Sequence, residues 1–92
     1  MQDEQARVLA RDGNIAIVQL EGRAFPGLHV QGDTFMELRQ QLADAVVRLR
    51  QSGCDGEVME ELDGVVQEMT EMLARYEATL LTRGIQRPYH AP

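Results

Sequence analysis

Ninety-two residues with a net charge of -6, nine arginines, no lysine and a single cysteine describe one small acidic domain, read as spanning 1-92. That charge argues against non-specific binding to nucleic acids and anionic membranes, which requires clustered positive charge. One thiol excludes an internal disulfide framework, and no apolar run approaches the roughly 20 residues of a membrane span. The all-arginine basic set fits the composition of a GC-rich bacterial genome. The polar, acidic N-terminal stretch has no positive region leading into an apolar core, so no signal peptide is expected and the cytoplasm is the expected compartment.

Residues 1-5 are polar and expected to be flexible. A short strand over Arg7 to Arg11 is followed by Asp12-Gly13-Asn14, a turn signal because Gly and Asn tolerate positive φ. Ile15 to Leu20 is rich in β-branched residues, the pattern of a largely buried strand. Glu21-Gly22-Arg23 turns again, and Pro26 marks the entrance or edge of a third strand over Leu28 to Gln31, since it has no N–H to give a ladder.

Gly32-Asp33-Thr34 then starts a helix. Thr34 and Glu37 have the spacing of a capping box, with Asp33 as the competing N-cap. Phe35, Leu38, Leu42, Ala45, Val46 and Leu49 form one apolar stripe, and Ser52-Gly53 closes the helix. A second helix is predicted from near Asp55 to about Arg83, with the stripe Val58, Leu62, Val65, Val66, Met69, Leu73, Tyr76 and Leu80. At 1.5 Å per residue it is near 40 Å long against roughly 27 Å for the first. A short connection makes the pair antiparallel, so the last turns of the second helix, with Tyr76, Leu80 and Leu81, overhang and need cover. Gly64 within it costs about 1 kcal/mol relative to alanine; it either permits a close helix crossing or is simply tolerated. Residues 85-92 form an extended tail, from which Ile85 and Tyr89 can fold back. The predicted architecture is α+β: a three-stranded antiparallel meander followed by an antiparallel two-helix hairpin, βββαα, with the second helix longer.

The strongest functional signal is charge. Between Gln51 and Ala74 lie seven acids and no arginine or lysine. Like charges four residues apart slightly destabilise a helix, so such a surface is not one optimised for stability alone. Glu57, Glu60, Glu61, Asp63, Glu68 and Glu71 are the candidate partner-binding residues, with Tyr89 as an exposed aromatic anchor. His29, His90 and Cys54 lack the short paired spacings of a zinc site. No nucleophile–base pair or phosphate-binding loop is apparent, and the carboxylates are expected on solvated helix surface rather than paired in a pocket. Neither an enzyme nor a cofactor is expected.

Phe25-Pro26-Gly27-Leu28-His29-Val30-Gln31-Gly32-Asp33-Thr34-Phe35 resembles the strand–turn–helix entry of HicB-type antitoxins, in which a P-G, a short strand, a G-D-T or G-D-S turn and an amphipathic helix follow in this order. The chain then departs from that pattern, with a long acidic helix where a further strand and a DNA-binding tail would stand, so DNA binding does not carry over. The whole chain, including Gly84-Ile85 and Arg87-Pro88-Tyr89, also resembles an uncharacterised family of small bacterial proteins of about this length. Together these features imply a small acidic binding protein, an immunity protein or antitoxin that occludes a basic toxin surface or active cleft. The alternative is a homodimeric structural or assembly adaptor that uses the overhang of the second helix around Tyr76 and Leu80.

Overall fold

A computed structural model describes residues 3–90; of the expected flexible start and extended tail, residues 1, 2, 91 and 92 lie outside the described residues. Three antiparallel strands in the order β1-β2-β3 precede two helices. They are β1 (Ala6–Asp12), β2 (Ile15–Leu20), β3 (Gly27–Val30), α1 (Gly32–Ser52) and α2 (Gly56–Thr82). The fold is α+β, with α2 at 27 residues and α1 at 21. Among the described residues, no helix is long and apolar enough to cross a membrane.

β1 pairs with β2 through an irregularity between Val8 and Ala10, and Pro26 stands just before edge strand β3. Cross-strand partners share a face of a sheet. Ile15, Ile17, Leu28 and Val30 therefore lie on one face, and Val8 and Val18 on the other. Of β2, only Ala16 is buried, and Ile15 and Ile17 are exposed, so this is not the largely buried strand expected. The reason is architectural. Close backbone contacts join strand to strand and helix to helix, while no strand–helix pair is comparably close. β-branched composition signals a pleated strand; it does not supply the layer that would cover it.

The capping box does not form. Gln31 is the N-cap of α1, and no side chain caps that helix. The Gln31 N–H donates to the Asn14 carbonyl (3.0 Å) while its own carbonyl accepts from Phe35 N–H (2.9 Å). One residue thus closes the sheet and opens the helix, which ends β3 at Val30 and leaves Thr34 inside the first turn. Asp33 instead accepts a bond from Thr34 N–H at 2.9 Å. Close by, the Tyr76 ring lies against Gly32, where an added methyl group would overlap it.

α1 ends at Gly53, whose φ of 93° lies in the region that side chains disfavour. Asp55 caps α2, accepting from Glu57 N–H at 2.8 Å. The helices pack antiparallel across this three-residue turn, and Val46, Met59 and Leu73 are buried between them. The single-stripe expectation needs correction here. Met59 is buried where Val58 was expected, and Leu38, Ala45, Val58 and Val65 remain exposed. Each apolar stripe is wider than one helix–helix contact can cover. Gly64 has open space around its missing Cβ, so it permits no close crossing within the chain.

The tail folds back along one side of the α2 overhang. Tyr89 Oη donates to Glu77 Oε2 at 2.9 Å, and Arg87 Nη1 lies 3.6 Å from Glu77 Oε1. Tyr76 and Leu80 are half-buried, but Leu81 stays 83% exposed.

Candidate interaction surfaces

Three sides of the helical hairpin differ in chemistry, and helical spacing sets the difference. The contact line of α2 runs through Met59, Val66, Leu73 and Leu80. At 3.6 residues per turn, Glu57, Glu61, Glu68 and Glu71 project from the opposite side, away from α1, and Glu60 stands a quarter turn from the contact line, toward the flank of Asp63. All five are exposed. Among the described residues Glu57, Glu60, Glu61 and Glu68 have no side-chain partner, whereas Glu71 accepts from Gln67 Nε2 at 3.2 Å. The result is a band of negative potential along one helix.

Asp63 stands apart from this band. It lies to one side of the contact line and pairs with Arg50 at 2.6 Å, both side chains half-exposed. On the same side, Arg39 Nε donates to Thr70 Oγ1 at 3.0 Å. These two links tie α1 to α2 along one flank of the hairpin; at such exposure the ion pair orients more than it stabilises.

The other flank holds what the sequence reading missed. Roughly a quarter turn from the contact line, and away from the polar links, α2 presents Val58, Val65 and Met72 and α1 presents Leu38 and Ala45. Because the polar links fix which flanks of the two helices share a side, these apolar residues also share one. Its four large side chains are 44–57% exposed. The signal was present in the seven-residue spacing of Val58, Val65 and Met72, which interleaves with Leu62, Met69 and Tyr76 to make a second seam beside the buried one.

Tyr89, expected as an exposed anchor, is half-buried, and its hydroxyl is committed to Glu77. Burial, then the hydrogen bond to Glu77 and the charge of that carboxylate, push its phenol up to about 12. Its place is in the fold-back of the tail, some way along α2 from the acidic band. His29, Cys54 and His90 are all exposed, on β3, the interhelical turn and the tail respectively.

The family model of DUF6959, a family of unknown function, matches residues 1–89. The chain belongs to this family. Its membership spans both the sheet and the hairpin, so the acidic and apolar surfaces lie within the matched region. No curated protein and no solved structure matches the chain.

Proposed function

We propose that this DUF6959 member is a small acidic binding protein that occludes a basic surface on a cognate protein, and that it serves as an immunity protein or antitoxin in the bacterial cytoplasm. The observation that carries this is the unneutralised band Glu57, Glu61, Glu68 and Glu71 on the side of α2 turned away from its own fold, with the exposed Glu60 beside it. An acidic helix presented this way suits a toxin whose cleft is positive because it acts on nucleic acids or nucleotides. Complementary charge accelerates such encounters by electrostatic steering. The HicB-like passage from Phe25 to Phe35 supports the antitoxin form of the proposal. Asp63 contributes less, because Arg50 already neutralises it.

Affinity capture from the native host, eluted on a salt gradient, identifies the partner; purified partner is then bound to variants. Charge reversal of Glu57, Glu60 and Glu71 together is expected to slow association at least tenfold at low salt and to flatten its salt dependence. Unchanged association and salt dependence would sink the proposal, as would a partner whose toxic activity survives saturating amounts of this protein.

A further inference from the structure

The molecule exposes more surface than its size accounts for. Its accessible area is 7652 Å², roughly 2,000 Å² above that of a compact chain of the same mass. The radius of gyration is 16.2 Å, against about 12 Å for a compact chain of this length. Among the described residues only Ala16, Val46, Met59 and Leu73 form the buried apolar core. Meanwhile Leu38, Ala45, Val58, Val65 and Met72 make one continuous apolar side of the hairpin, with no polar cross-link over it.

We infer that this side docks on the same side of a second copy, so that two hairpins form an antiparallel four-helix bundle. Three features specify a second copy rather than an unrelated groove. The exposed residues repeat at the spacing of a bundle seam, which an identical hairpin meets in kind. Antiparallel register sets Leu38 near the level of Met72 and Ala45 near that of Val65, so large and small side chains are distributed for interdigitation. The rim is also self-complementary. Arg48 borders the apolar side on α1, Glu61 and Glu68 border it on α2, and among the described residues none of the three has a side-chain partner.

A two-fold axis parallel to the helices lays α1 of one copy over α2 of the other. Arg48 of each then faces Glu61 and Glu68 of its mate. Stable homodimers bury roughly 1,000 Å² or more per partner, so the interface takes in the polar rim as well as the five apolar side chains. Glu57, Glu60 and Glu71 stay on the outside, so the dimer carries two acidic bands and does not depend on the proposed toxin partner.

Sedimentation equilibrium of the full chain at micromolar concentration tests this. The expected species has twice the 10.3 kDa mass of one chain and persists in high salt. Val65→Glu and Met72→Glu are each expected to weaken the dimer at least tenfold while circular dichroism retains the helical signal, because both side chains are already half-exposed in the single chain. Leu81→Glu, on the overhang, is expected to change nothing. Arg48→Glu is expected to weaken association several-fold at low salt. A monomer at high micromolar concentration, or a dimer indifferent to Val65→Glu and Met72→Glu, would overturn the inference. Loss of the dimer in Leu81→Glu alone would place the interface on the overhang instead, and an unaffected Arg48→Glu dimer would overturn the α1-over-α2 arrangement.

Discussion

The back and the open flank of α2 belong to the same 27-residue helix and have opposite physical chemistry. The back carries four carboxylates, whose effects reach through solvent and fade with salt, and a glycine. The flank carries Val58, Val65 and Met72, whose effects need contact and the exclusion of water. A third line, through Met59 and Leu73, is already used by α1. One helix thus offers three chemically different arcs of its circumference, of which α1 covers one. Small proteins gain binding capacity this way at the expense of core, and here the core is thin.

Leu73→Ala breaks the comparison outright, and we expect it to have the largest effect. Leu73 is 6% exposed and one of four buried apolar residues among those described, so truncation is expected to cost about 2–5 kcal/mol. Urea denaturation followed by circular dichroism reads the loss. Stability within a few tenths of a kcal/mol of the parent would mean that the α1–α2 contact is not what holds the hairpin.

Gly64→Ala separates the two outer surfaces. Gly64 sits among the acids with open space beside it, and alanine in its place is expected to stabilise the helix by about 1 kcal/mol. The same variant leaves the apolar flank untouched. A stability gain without a change in self-association would confirm that back and flank act independently. A stability loss would show that the back of α2 is covered after all.

The smallest effect concerns the tail, beyond both surfaces. The folded Tyr89 phenol, at about 12, is raised above the ordinary value of 10.0. The protonated form is thus favoured by folding. The stabilisation is complete below pH 10 and disappears as pH rises through 12. Absorbance of the phenolate should show Tyr89 titrating late, and Glu77→Gln should bring its midpoint back toward the ordinary value. An unchanged midpoint in that variant would mean that Glu77 does not hold the tail.

Much of the fold was legible in the sequence because local rules wrote it. Asp12-Gly13-Asn14 set the first turn, β-branched residues set β2 from Ile15 to Leu20, and Gly53 and Asp55 set the adjoining helix ends. Where Thr34 and Glu37 suggested a cap, a longer-range bond won: Gln31, tied to Asn14, started α1 before Thr34 could serve. The acidic band was legible too, since charge and helical spacing are both sequence properties.

The sequence by itself determined the order and type of the elements, the sign of the charge and the arc of α2 that bears it. Those features depend on residue type and on a spacing of 3.6 per turn, which any helix enforces. The tertiary structure alone decided which part of each apolar stripe is covered. That outcome depends on how the helices rotate toward each other and on whether the sheet packs over them. The hairpin buried Met59 instead of Val58 and left Leu38, Val65 and Met72 facing outward, because one helix covers only part of a neighbour's circumference and the sheet lies elsewhere.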